Sequence, residues 1–367
     1  MTISRLQSKT TSEATRNSII RPLKHNYSYS QVSRVAQHHF ELIYSGHLTL
    51  ANTNTKCYNT YTLYSNTRRT FHSTRANLIS EHDQQRHYLT MSNKLIPSNP
   101  ADVAVIRNIT PNIVTVSVPF ARYGIFRVGG RGTIIRLTSG ALAVFSPVAL
   151  TPETQAKVGE LGGRVGYLVA GDMEHHIFLS EWARAYPGAK IVGPKGLREK
   201  RSKVLDDDKI GHEPFAFEWD ATNKHDNGVS DEFAADFEVE FVDAHPNKEL
   251  VLLYKPDRVL IQADLLFNLP AVEQYSRVPA AEKSSNGLLN KIFEAINNTS
   301  GEAKGIKRFM WYAVSNGNKD RAGFNASIQR IGAWDFDTIV PCHGETMVGN
   351  GKELFNKVFE WHLKGHK

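Results

Sequence analysis

The sequence predicts a layered α/β domain that begins near residue 100. Two observations carry this reading: β-rich segments joined by Gly-containing turns come first, and strands interleaved with helices follow. A third sets the boundary. Residues 1–90 lack a periodic apolar pattern and hold 11 Lys/Arg against 4 Asp/Glu, which accounts for the whole formal charge of +7.

In chain order, "NIVTVSVPF" (112–120), "IFRVGG" (125–130) and "GTIIRLTSGALAVFSPV" (132–148) read as three strands. "TPETQAKVGELGG" is a helix capped by Thr151, with Pro152 at its first position and Gly162 and Gly163 at its end. "VGYLVA" is a buried strand, "IFLSEWARAYPG" a helix and "KIVGP" another strand. "FEVEFVDAH" (237–245) alternates as a strand, and "ELVLLYKPDRVLIQADLLF" gives two more around the turn "KPDR". "NGLLNKIFEAINN" and "NASIQRIGAW" read as helices, and "DTIVPCHGE" (337–345) as a late strand. The string "GGRG" (129–132) lacks the Gly-Lys-Ser/Thr ending of a phosphate loop and reads as a hairpin turn.

At 41% hydrophobic and 22% charged residues, the 367-residue chain can bury a sizeable core. Because residues 91–367 are balanced in charge, no nucleic-acid or membrane partner is expected for that domain. The longest apolar stretch, 249–269, is broken by Lys255, Asp257, Arg258 and Asp264 and reads as strands, not a span. Two cysteines, Cys57 and Cys342, form no disulfide framework and fit a reducing compartment. The leader 1–90 is rich in Arg and Ser, and "NTRRTFHSTR" (66–75) resembles the cleavage region of mitochondrial presequences. Alternatively Met91 starts the product and the leader is an upstream extension. The first reading places the protein in mitochondria, the second in the cytoplasm.

Three polar stretches directly follow apolar strands: "GDMEHH" (171–176), "DAHPNKE" and "PCHGE". A fourth feature, Asp264, sits inside the apolar run "RVLIQADLLF", where an ionised carboxylate is costly without a cation or donors. Residues beyond strand ends gather at one rim of an α/β sheet, where ligands bind. Imidazole and carboxylate there suit Zn²⁺ or Fe. The bland alternatives are helix capping for His175 and His176, a polar strand end for His245, and a turn acceptor for Asp264. His343, in Cys-His-Gly at a strand end, has little packing rationale.

In the order and strand context of these motifs, residues 112–362 resemble the metallo-β-lactamase superfamily, in a branch with "HH" in its first motif. The family's His-x-His-x-Asp-His falls on Gly171, Met173, His175 and His176. Its next histidine matches His245, its bridging Asp matches Asp264, and its final His matches His343. The resemblance implies an αββα four-layer α/β sandwich over residues 91–367. It implies a metal site as well, remodelled because two histidines are missing. His175, His176, Asp264 and His343, with His245, remain for one zinc or iron ion per chain, and Asp172 and Glu174 are substitute carboxylates. The expected activity is metal-dependent hydrolysis of a small molecule, with Asp264 orienting the water. A non-catalytic binding or scaffold protein and an iron-dependent redox enzyme are the rival readings.

Elsewhere, Trp182, Tyr186 and Pro187 fit a helix packed on the sheet. The basic cluster 195–203 reads as a solvated face or a surface for an anionic substrate. Leu288, Leu289, Ile292, Phe293 and Ile296 share one helix face, expected to serve in the core or as a lid. His212, His225, His362 and His366 are expected at the surface.

Overall fold

Strand propensity and burial together build two sheets. The computed structural model describes residues 99–205, 207–280 and 287–365; the leader, the Met91 start and His366 lie outside these. Helix α1 (Pro100–Val103) leads into β1 (Val105–Asn108) and β2 (Ile113–Val118). A small hairpin, β3 (Ala121–Arg122) and β4 (Phe126–Arg127), precedes β5 (Gly130–Arg136) and β6 (Leu142–Phe145). Next come α2 (Pro152–Glu160), β7 (Val165–Val169), α3 (Leu179–Ala185), β8 (Lys190–Pro194), α4 (Leu197–Ser202), β9 (Phe217–Trp219) and α5 (Asp231–Asp236). The second half holds β10 (Phe237–Val242), β11 (Glu249–Tyr254), β12 (Val259–Gln262), α6 (Leu288–Ile296), α7 (Lys304–Phe309) and α8 (Arg321–Ala333). The chain closes with β13 (Thr338–Pro341), α9 (Gly351–Val358) and α10 (Glu360–Leu363).

The first sheet runs β1-β2-β5-β6-β7-β8-β9 and the second β10-β11-β12-β13. Pairing is antiparallel from β1 to β6 and parallel from β6 to β9. In the second sheet β12 and β13 are parallel. Between the sheets lies one apolar layer: Ile135, Phe145, Tyr167 and Val169 from the first meet Phe241, Leu252, Ile261 and Val340 from the second. The outer face of the first sheet buries Val114, Ile134 and Leu168 against Val158, Leu179, Trp182 and Leu197 of α2, α3 and α4. On the far side α8 packs on β10 and α9 on β13. Helix, sheet, sheet and helix are stacked in that order, which is the αββα sandwich expected. Cover on both faces explains why β11 reads as a nearly continuous apolar run. Among the described residues no helix is long and apolar enough to cross a membrane.

Local signals hold in part. Thr151 caps α2 through Oγ1, which accepts from the Thr154 N–H at 3.2 Å. The run 132–148 is two strands, because the chain reverses at Gly140, whose φ of 84° suits glycine. "GGRG" is no hairpin turn, since Gly130 to Arg136 is strand and Arg131 lies inside it. Helix α6 is not a core helix: Leu288, Leu289 and Ile292 are exposed, and only Asn290 and Phe293 are buried. Those two face the β3–β4 hairpin, where Asn290 Oδ1 accepts from the Arg127 N–H and Phe293 packs on Phe126. His362 is buried, not at the surface; it packs among Trp311, Phe324 and Phe359 and contacts Asn325 Oδ1 through Nδ1. His212 is exposed, and His225 is half-exposed and pairs with Glu240. The basic cluster is mostly solvated, except for Arg201, which is buried.

Candidate metal centre

Strands β7, β10, β12 and β13 end at one rim, and their following turns carry the polar residues singled out above. After β7 the chain turns at Gly171, whose carbonyl accepts from the Leu250 N–H at 2.8 Å. Asp172 then folds back on its own loop. Its Oδ1 accepts from the backbone N–H groups of Glu174 and His175 at 2.7 and 2.8 Å, and lies 2.9 Å from His175 Nδ1. This Asx-type turn keeps a proton on Nδ1 and makes Nε2 the nitrogen that can offer a lone pair to a cation once its own proton has left.

After β13, Pro341-Cys342-His343-Gly344 forms the opposite wall. His343 Nδ1 donates to the Gly129 carbonyl at 2.5 Å, so its Nε2 also carries a lone pair. The two Nε2 atoms face each other at 3.1 Å, and Asp264 Oδ1 lies 3.0 Å from His343 Nε2. Phe120 and Phe267 flank the His343 ring and fix its plane. Asp264 is held in turn: its Oδ2 accepts from Asn247 Nδ2 at 2.6 Å, and its N–H donates to Glu249 Oε2 at 3.0 Å.

The ligand atoms of His175, Asp264 and His343 all lie within 4.8 Å of one another. Two imidazole Nε2 atoms and a buried carboxylate oxygen thus converge on one point, with no donor but a ring proton between them. Mutual repulsion and desolvation make such an arrangement unfavourable unless a cation or a proton fills it. Ligands at roughly 2 Å from one tetrahedral ion are spaced about as these atoms are, so the donor set fits zinc or iron. Access is from the His175 side: its side chain is 17% exposed, against 4% for His343 and 1% for Asp264.

The electrostatics agree with this geometry. Burial works against a charged His175, but the Asp172 and Asp264 carboxylates outweigh it and lift its pKa to about 10. Burial would likewise raise Asp264, yet His175, His343 and Arg122 hold its carboxyl well below the usual range. Glu249 is pushed well above its ordinary value by burial and by the Asp172 and Asp264 carboxylates, while the Ala263 and Asp264 N–H groups donate to its two oxygens.

Other expected ligands stand apart from this trio. His176 is buried against Arg201, with its carbonyl accepting from Arg201 Nη1 at 2.7 Å. Its pKa is depressed to about 3 by burial, with Lys200 and Arg201 adding to the effect. His245 is buried nearby, but its Nδ1 accepts from the Asn247 N–H, the reverse of the tautomer that His175 and His343 adopt. Glu174 points outward and pairs with Lys200. Asp172 orients His175, and its Oδ2 is buried without a partner. The two positions where the resemblance lacks histidines are Gly171, which has no room for a side chain, and Met173, whose side chain is committed elsewhere. A Cβ on Gly171 would meet Phe145 Cζ and Ser146 Oγ at 2.6 Å, and Met173 packs into the outer core.

Of the three residues that brace the trio, two carried no signal of their own. Asn247 and Gly129 act through amide and backbone groups of ordinary residue types. Glu249 did carry a readable signal, a carboxylate opening the apolar run "ELVLLY", the same anomaly that marked Asp264.

A family model described as a domain of unknown function, DUF4336, matches residues 123–271, which include His175, His245 and Asp264 but stop before His343. No curated protein matches the sequence. Among solved structures the chain is similar to the metal-soaked Flv1 flavodiiron core of Synechocystis sp. PCC6803, at 15% identity and a TM-score of 0.45, covering 72% of this chain and 62% of that one. It is similar to a metallo-β-lactamase from Pontibacter korlensis, at 13% identity and a TM-score of 0.41, covering 72% of this chain and 100% of that one. A flavoprotein from Thermotoga maritima aligns at 9% identity and a TM-score of 0.44, covering 71% of this chain and 61% of that one. The architecture itself is a four-layer αββα sandwich, the fold class that the order of the motifs implied.

Proposed function

We propose that the protein is a metal-dependent hydrolase of a small molecule, with one ion per chain held by His175, Asp264 and His343. The observation that carries this reading is the convergence of two imidazole Nε2 atoms and one buried carboxylate oxygen, with the His175 side chain partly exposed. A divalent ion there supplies Lewis acidity toward a carbonyl or phosphoryl oxygen and acidifies water in the site.

The chain's own residues divide the remaining work. Asp264 offers the ion a single oxygen, because Asn247 occupies the other, and we assign it the role of ligand. Asp172 sets the orientation and tautomer of His175. Phe120 and Phe267 keep water off the flanks of His343, so substrate enters past His175.

Elemental analysis of protein purified without chelators tests this directly. The expected result is about one zinc per chain, lost in Asp264→Asn, together with hydrolysis of an ester, thioester or phosphoester panel that depends on that zinc. One iron per chain would turn the assignment to redox chemistry, and a metal-free wild type would leave a scaffold.

A further inference from the structure

The polar groups of the loop that presents His343 are gripped from beneath by two buried side chains. Arg131 lies inside β5 and is 1% exposed. A single guanidinium nitrogen, Nη1, donates to the carbonyls of Pro341 and Gly344 at 2.6 and 2.8 Å, one on each side of His343. Gln274 closes the remaining positions. Its Nε2 donates to the Cys342 carbonyl at 2.9 Å, and its Oε1 accepts from the Gly344 N–H at 3.0 Å. Two residues before Arg131, the Gly129 carbonyl accepts from the His343 ring. The start of one strand therefore sets both the backbone and the ring of His343.

Arg131 is itself over-determined. Its Nε donates to Ser117 Oγ at 3.0 Å, and its Nη2 lies 3.3 Å from Glu273 Oε1. Glu273 also pairs with Arg107 at 2.8 Å. Burying a guanidinium costs several kcal/mol before its partners compensate, and apolar packing fills such space at less cost. Gly344, at a φ of 81°, sits where a Cβ would come within 2.2 Å of the Asn268 carbonyl oxygen, so only glycine fits this close approach. A rigid clamp on a loop whose only outward chemical group is an imidazole points to placement of that imidazole.

We propose that Arg131 and Gln274 are the positioning residues of His343. By holding the carbonyls that flank it, they place Nε2 within reach of an ion shared with His175 and Asp264. This rests on the metal reading above. Groups that orient metal ligands in this way typically change affinity by roughly 10–100-fold when removed.

The test uses the full chain and two readouts. In ¹⁵N-histidine-labelled protein without metal, the His343 Nδ1–H resonance should be slowly exchanging in the wild type and lost in Arg131→Met. Titration with Co²⁺ should show visible ligand-field bands in the wild type, with affinity roughly 10–100-fold weaker and shifted bands in Arg131→Met. Arg131→Lys, which keeps one cationic donor, should recover part of both. Gln274→Leu should shift both readouts in the same direction, and it carries the test should Arg131→Met not fold. A folded variant that retains the protected Nδ1–H and unchanged cobalt bands and affinity would overturn the clamp. A wild type that binds no cobalt would sink the metal reading alone, leaving the resonance to judge the clamp.

Discussion

Asp172 and His175 act as one unit, because a single oxygen, Asp172 Oδ1, engages both the backbone N–H and the ring Nδ1 of His175, at 2.8 and 2.9 Å. Asp172→Asn keeps the size and loses the charge that fixes the ring. Zinc affinity, measured by competition with a chromophoric chelator, should fall by roughly 10–100-fold with little change in fold. An unchanged affinity would show that His175 needs no such orientation.

Ion binding at this site should be steeply dependent on pH. In the ion-free protein His175 holds a proton up to about pH 10, so at neutral pH a cation must displace that proton. Affinity should therefore climb as pH rises, by about tenfold per unit between roughly 7 and 9, and weaken as it falls. Calorimetry in buffers of different ionisation enthalpy should report about one proton released per ion at pH 7. A binding constant flat across that range would contradict the arrangement of His175 with Asp172 and Asp264.

Restoring histidines to the vacated family positions should not create a second centre. At Gly171 any side chain runs into Phe145 and Ser146, and Met173 is committed to the outer core. The double variant Gly171→His with Met173→His should keep the wild-type metal count and lose stability by about 1–3 kcal/mol or more through overpacking. A second equivalent of zinc in the variant would show that the Phe145 ring yields.

His362 offers a test of the helical layer, away from the rim. Burial, with Arg321 adding, depresses its pKa to about 4, below the value near 6.5 expected when unfolded. The unfolded chain then binds the extra proton between those values, so this residue's contribution to stability is lost as pH falls from about 6.5 to 4. Relative to His362→Gln, the wild type should lose up to about 1.4 kcal/mol per pH unit across that window, read by urea unfolding. Parallel stability curves for the two proteins would mean that the imidazole titrates alike in the folded and unfolded states.

The strands, the layer order and the three residues of the trio were legible because each left a mark in one dimension: an apolar run, then an imidazole or carboxylate directly after it. The site's bracing was not legible, since Asn247, Gly129 and Gln274 act through groups that every amide and peptide bond carries. His176 shows the limit of adjacency. It follows His175 in sequence, yet the turn set by Asp172 sends the two side chains to different places, one to the rim and one to Arg201. His362 was misplaced because a histidine beside Trp361 at a chain end reads as solvated until α8 packs over it. Arg131 was visible in "GGRG" but took on the glycines' turn character instead of its own.

His175 and His343 stand 168 residues apart, one following each sheet. Closing so long a loop costs chain entropy before any contact repays it, and sites built from distant strands assemble late. An ion bound as proposed would therefore not steer early folding; it would bind once both sheets have met and then act as a latch between them. At a free ion concentration 100 times its Kd, that latch adds about 2.7 kcal/mol against separation of the halves.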